Sequence, residues 1–169
     1  MRAYTPGGRF DATFEKLSLE AGIAADLRNP IGSYVDWWVY DSVNSSIDSI
    51  YDTGSVATGL VWNGPVRVPV IRALISQGDV DQSERGYYNV DTLHLTILGT
   101  DIQKADPGIL ANPSDETRAR VIWHNEVWRP RGIQQRGIIG EAFSLVTMDL
   151  MQVSAEELVN ESQFAAYAQ

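Results

Sequence analysis

The sequence predicts a mainly β domain with a helical arm before it and a short helix after it. Three observations carry this. Val66, Val68 and Val70 alternate with Pro65, Arg67 and Pro69, and Leu93, Leu95 and Ile97 alternate with Thr92, His94 and Thr96. A period of two with polar residues between marks a strand with one buried face. Phe10, Phe14, Leu17, Ala21, Ala24 and Leu27 recur at three- and four-residue steps, the spacing of one helix face. Ser154-Ala-Glu-Glu157 has the form of a capping box, with Ser154 at the N-cap and Glu157 at the third helical position. The chain divides accordingly into an arm over 1–33, a β domain over 34–153 with a long loop over 76–87, and a helix over 154–169.

Composition bounds the class. At 169 residues and 44% apolar, the chain is the size of one domain with a real core. It has no cysteine, so no disulfide framework and no thiolate metal site. No apolar run approaches the roughly 20 residues of a membrane span, and the N-terminus lacks a basic-then-apolar leader pattern. A soluble protein of the cytoplasm, or of a particle assembled there, is expected. The net charge is −9, which argues against tight general DNA binding and suits a surface past which DNA slides. Arginines 118, 120, 129, 131 and 136 fall within 19 residues against the single acid Glu126, whereas five acids and no cation lie beyond position 140. Arginine favours fixed, bidentate or stacked contacts over a merely solvated surface.

In the arm, Asp11 is placed to cap the helix and Asn29-Pro30 to stop it. The helix packs on its own domain or docks on a neighbouring subunit. Tyr34 to Tyr40 (YVDWWVY) is the densest aromatic cluster. Four aromatics in seven residues cannot all enter one small core unless something covers both sides. The strands around Val66–Val70 and Leu93–Ile97 read as a hairpin. Its loop, Ser76 to Gly86, holds ten polar or glycine residues with Val80 as the only aliphatic one; that is long for a hairpin, whose loops are usually two to five residues. Asp101 to Pro113 reads as a surface crossing with a short helical piece, and Ser114 to Arg120 as a capped turn. Val121 to Trp128 reads as a second hairpin turning on His124, Asn125 and Glu126, with Trp123 and Trp128 meeting across it. Arg129-Pro130-Arg131-Gly132 ends that strand, since proline cannot donate to a ladder. Gly137 and Gly140 frame a turn, and Phe143 to Leu150 form a further strand. At the C-terminus, Val153 and Leu158 stand where a hydrophobic staple places them.

Signatures of chemistry are missing: no glycine-rich phosphate loop, no helical His pair, no nucleophile elbow. His94 lies in a strand and His124 in a turn, without convergent groups nearby in sequence. Asp79, Asp81 and Glu84 lack the regular oxygen spacing of a calcium loop. No catalytic residue, cofactor or metal is expected, and the chain is not read as an enzyme.

Several phrases resemble a family. Val66 to Val70 (VRVPV), Glu84 to Leu95 (ERGYYNVDTLHL), Val121 to Arg131 (VIWHNEVWRPR) and Leu158 to Phe164 (LVNESQF) are similar to the head-to-tail connector proteins of long-tailed phages, specifically the stopper (head-closure) proteins of phages infecting actinobacteria. The resemblance implies a small antiparallel β-barrel assembled as a homo-oligomeric ring in the virion neck. Portal and adaptor would lie above it, tail terminator or tail tube below, and packaged double-stranded DNA in the channel, with assembly in the host cytoplasm and no membrane partner. The family has no shared catalytic residues. Under this reading Gln77, Gly78, Asp79, Asp81, Glu84 and Arg85 are candidates for a gating loop, with Gly78 and Gly86 as hinges. Trp37, Trp38, Trp128, Arg129, Arg131 and Arg136 are candidates for the subunit interface. An adaptor, expected to be mainly helical, and a tail terminator, expected to be α/β, are alternatives in the same neck. A sugar- or peptide-binding β-barrel using Trp123 and Trp128 as a platform is the alternative of another class.

Overall fold

The computed structural model of the chain describes residues 11–45, 59–77, 81–83, 86–88, 91–109, 111, 118–139, 142–159 and 161–167. Seven antiparallel strands form one sheet, in the order β2 (Trp62–Val70), β1 (Ser33–Tyr40), β7 (Arg120–Trp123), β8 (Glu126–Ile139), β9 (Ala142–Gln152), β6 (Thr92–Leu98), β3 (Arg72–Ser76). The edges β2 and β3 are successive in the chain, with Ile71 alone between them. Val70 pairs with Ser33 at one edge, Arg72 pairs with Thr96 at the other, and the Ile71 N–H donates to the Thr96 carbonyl at 2.9 Å. The sheet therefore curls until its two edges meet at that corner. No ladder joins β2 to β3 among the described residues, so the sheet is open rather than hydrogen-bonded into a barrel.

The curled inner face holds the main core. Alternation delivers Val35 and Trp37 from β1, Val68 and Val70 from β2, Leu93, Leu95 and Ile97 from β6, and Val146, Met148 and Leu150 from β9, all at most 1% exposed. One end is filled by α3 (Gly99–Ala105) and the turn after it, through Ile102 and Ile109. The crossing after β6 thus contributes to the core rather than only running over the surface. Asp106 holds it there, accepting from the buried Trp37 indole N–H at 3.4 Å and from the Gly108 N–H at 3.2 Å.

A β-bulge decides what lies on the outer face. Trp37 pairs with Val66 and Val39 with Asn63, so Gly64 and Pro65 together oppose Trp38. The extra residue reverses the side-chain alternation, and Trp62 points outward beside Tyr40. There the C-terminal segment covers it. Phe164 sits edge-on to Trp62 (5.1 Å between centroids) and to Trp38 (5.2 Å), and Ile122, Val127, Val153 and Leu158 complete a second core. Trp37 inside and Trp38 under the tail resolve the aromatic cluster: both sides of β1 are covered.

The first expected hairpin exists with a different strand. Leu93 to Ile97 pair with Arg72–Ser76, whereas Val66–Val70 pair with β1, because the chain turns its corner at Ile71. The second hairpin turns on His124 and Asn125 alone, at φ 51° and 67°, and Glu126 is already paired with Trp123. Two left-handed residues make the tight turn whose twist matches the flanking strands. Trp128 consequently faces Val121, not Trp123. Nor does β8 stop at Pro130. A bulge at Arg131 separates the Pro130–Leu150 and Gly132–Asp149 pairs, in a stretch that among the described residues pairs with β9 alone, so the missing N–H costs no ladder bond on the other side. Gly137, at φ 66°, is likewise inside β8, and Gly140 lies outside the described residues.

In the arm, Asp11 accepts from the Thr13 and Phe14 amides at 3.1 and 3.2 Å and starts α1 (Ala12–Ile23). A π-helical turn (Ala24–Arg28) and α2 (Asn29–Ile31) carry the helix past Pro30, which takes a first-turn position, and Gly32 ends it at φ 62°. The segment expected as a capped turn before Arg120 lies outside the described residues over 112–117.

Candidate functional site

The gating-loop candidates fall in the connection between β3 and β6. Gln77 is exposed; Asp81 begins β4 (Asp81–Ser83), which pairs with β5 (Gly86–Tyr88) in a separate two-stranded sheet. Ser83 pairs with Gly86, which leaves two residues for the tip. Gly78, Asp79, Glu84 and Arg85 lie outside the described residues. The described part of the connection is thus a small hairpin. Its base is narrow, because Ser76 pairs directly with Thr92.

The interface candidates separate under the structure. Trp37 and Trp128 are 0% and 1% exposed, enclosed in the main core, and have no surface to offer a neighbour. Trp38 is half-buried against Phe164 of the tail. Arg129 donates to both carboxylate oxygens of Glu157 in the same chain, at 3.2 and 3.4 Å. Only Arg131 and Arg136 stand exposed on the surface. Arg129 thus serves the acidic tail of its own chain.

That internal cluster centres on Arg120, which sequence reading did not single out. Its guanidinium is buried, donates from Nε to Glu161 at 3.0 Å and from Nη2 to both Glu161 and Glu157, and lies 5.1 Å from the Trp62 ring centroid. Glu161 is 3% exposed. A buried bidentate pair of this kind demands its partner, since a lone buried charge is strongly unfavourable. Gln163 adds a second clasp: its side-chain amide accepts from the Trp62 N–H at 2.8 Å and donates to the Trp62 carbonyl at 2.9 Å. It behaves as an extra strand residue on the free side of β2. Half of the capping box forms, with the Glu157 N–H donating to Ser154 Oγ at 3.3 Å, while the Glu157 carboxylate is taken by Arg120 and Arg129.

Among the surface hollows, two gather polar side chains from several strands. One, of ≈ 420 Å³, lies on the outer face of β3, β6, β9 and β8, where His94 and Asp149 are cross-strand partners joined Nδ1 to Oδ1 at 2.6 Å. Arg72, Leu74, Thr96, Thr147 and Arg136 surround the pair. The other, of ≈ 430 Å³, is lined by Tyr34, Asp36, Arg67, Trp123, His124 and Tyr167, with Trp123 stacked on His124 at 3.8 Å. The proposed Trp123–Trp128 platform does not form, because Trp128 is inside; Trp123 instead shares this hollow with Tyr34 and Tyr167. Among the described residues no three of His, Asp and Glu gather to hold a metal ion, and no helix is long and apolar enough to cross a membrane.

No family model matches the chain, and no curated protein does. Among solved structures, a chain described as from the virion of a native gene transfer agent particle aligns at 11% identity with a TM-score of 0.44, covering 72% of this chain and 94% of that one.

Proposed function

We propose that the chain is a structural virion neck protein, a stopper that forms a ring between portal or adaptor and tail, closes the DNA channel and provides the tail-attachment surface. The observation that carries the reading is the β3–β6 connection, which forms its own hairpin apart from the main sheet and whose second strand lies in the phrase Glu84 to Leu95 that resembles the stopper family. Movement of such a hairpin as a unit, without disturbing the core, is what a steric gate requires. The mainly β sheet fits a stopper better than a helical adaptor or an α/β tail terminator. Packaged DNA would meet an acidic protein that obstructs it sterically instead of gripping its phosphates. Joining Ser76 to Thr92 by an Asn-Gly turn, in place of residues 77–91, keeps the observed register and leaves the sheet folded. Heads carrying that variant are expected to leak DNA before tail joining, measured as nuclease-sensitive DNA; normal retention would show that this hairpin is not the gate.

A second reading, a sugar- or peptide-binding module, draws on the aromatic hollow at Tyr34, Trp123 and Tyr167. Glycan- or peptide-array binding that is lost in Trp123→Ala would promote it over the neck reading.

A further inference from the structure

We propose that β3 is the seat of a two-fold contact with a second copy of the chain, edge to edge and antiparallel about Leu74. The proposal goes beyond the neck reading and does not rest on it, because an isologous contact closes after two copies whereas a ring needs a heterologous one. Among the described residues β2 and β3 are the two edges of the sheet, and an edge strand offers main-chain donors and acceptors to a further strand. The two edges are guarded differently. β2 contains Pro65 and Pro69, which have no N–H to offer, and the Gln163 side chain occupies both the N–H and the carbonyl of Trp62. β3 has neither device. Its five residues, Arg72-Ala-Leu-Ile-Ser76, include no proline and no acid, and they pair with β6 one for one without a bulge. Leu74, on the outer face beside His94, is 45% exposed. Ala73 and Ile75 pair with the buried Leu95 and Leu93 and so stand on the core face, yet Ile75 is 40% exposed. A regular edge strand with apolar groups uncovered on both faces is a template for another strand.

The chemistry of β3 reads the same in both directions: polar, apolar, apolar, apolar, polar. In an antiparallel pair centred on Leu74, that residue opposes Leu74 of the second copy, Ala73 opposes Ile75, and Arg72 opposes Ser76. Directly opposed residues share a face, so both core faces lie on one side and each Ile75 is covered there. Four residues separate the two Arg72 positions, about 13 Å along the strand. That exceeds the screening length of about 8 Å at physiological salt. A parallel pair in register would instead set the two arginines directly opposite each other, which is unfavourable. Centring the pair on Ala73 or on Ile75 would set Leu74 against Arg72 or Ser76. The strand therefore specifies its own copy as partner, in one orientation and one register.

Native cysteine is absent, so introduced thiols report the register. Opposed residues of an antiparallel pair have Cα atoms about 4.5–5.5 Å apart, within disulfide reach. Under mild oxidation, full-length Leu74→Cys is expected to give a disulfide-linked dimer on non-reducing gels. Arg72→Cys and Ser76→Cys are each expected to stay unlinked alone and to link when mixed. Leu74→Lys sets two like charges face to face and should weaken self-association in sedimentation equilibrium by about tenfold or more; mixing it with Leu74→Glu should restore a dimer. Equal linking of all three single cysteine variants would mean chance collision, and overturns the proposal. A monomeric wild-type chain would leave β3 to a strand of another protein, and overturns it as well. Self-association that Leu74→Cys does not trap also overturns it, while the neck reading stands or falls separately on the DNA-retention experiment.

Discussion

At the residue scale, individual groups of this chain are fixed by close approach or by local hydrogen bonds. Gly64 has φ 152°, and a Cβ there would lie 2.8 Å from the Trp37 carbonyl oxygen. Gly64→Ala is expected to lower stability by about 1–3 kcal/mol, read as a shifted urea midpoint, because backbone must move to admit the methyl group. The bulge this glycine permits is also what turns Trp62 outward, so the same variant should change the near-ultraviolet signal. Asp41, half-buried after β1, accepts from the Asn44 side chain at 2.6 Å, from the Asn44 and Val43 amides at 3.0 Å and from Asn63 Nδ2 at 3.0 Å. These bonds, the Asn44 side chain foremost, lower its pKa from 3.8 to about 2. A carboxylate depressed in the folded state stabilises fully above its unfolded value and loses that contribution as pH falls through the folded one. The stabilisation from Asp41 should therefore be whole above pH 3.8 and vanish toward pH 2, and Asp41→Asn should flatten thermal stability across that window. A titration of the Asp41 carboxyl by NMR with a midpoint near 3.8 would contradict the assignment.

At the element scale, the C-terminal segment is the piece whose role changes most between sequence and structure. Its capping signature and staple were legible, because Ser154, Glu157, Val153 and Leu158 are local to one helix start. Its docking was not, since Arg120, Trp62 and Trp38 come from distant parts of the chain. Arg120→Ala leaves Glu161 buried without its partner and is expected to cost about 3–5 kcal/mol, with only slight relief from salt because the pair is shielded. Phe164→Ala removes the ring that both Trp38 and Trp62 meet edge-on, and should cost a similar 3–5 kcal/mol or so in chemical denaturation. If either variant unfolded at the wild-type midpoint, the tail would be an appendage and not part of the fold. The strands show the same division. Their period-two patterns were readable along β2 and β6, yet which strand each pairs with depends on the corner at Ile71, which no periodicity encodes.

At the scale of the whole molecule, the sheet is a curled wall with a covered back on one half and an arginine-bordered hollow on the other. The hairpin of β4 and β5, between β3 and β6, forms a sheet of its own apart from this wall. An acidic chain of net charge −9 should show negligible retention of duplex DNA in fluorescence anisotropy even at low salt. Tight, salt-sensitive binding would instead mark the Arg72 and Arg136 surface as a phosphate site.

The mainly β class, the arm helix with its Asp11 cap, the capped C-terminal start and the strandedness of β2, β6 and β9 were determined by the sequence alone, because periodicity and capping act over a few residues. The site candidates were legible only as residue types. Trp37, Trp38, Trp128 and Arg129 have the composition of an interface, and Trp, Tyr and Arg serve a core, an intramolecular clasp and a subunit contact equally well. The tertiary structure decided among these uses. Strand order, the bulge at Gly64 and Pro65, and the return of the tail across β1, β2 and β7 bring together residues tens of positions apart, and burial is a property of that whole arrangement.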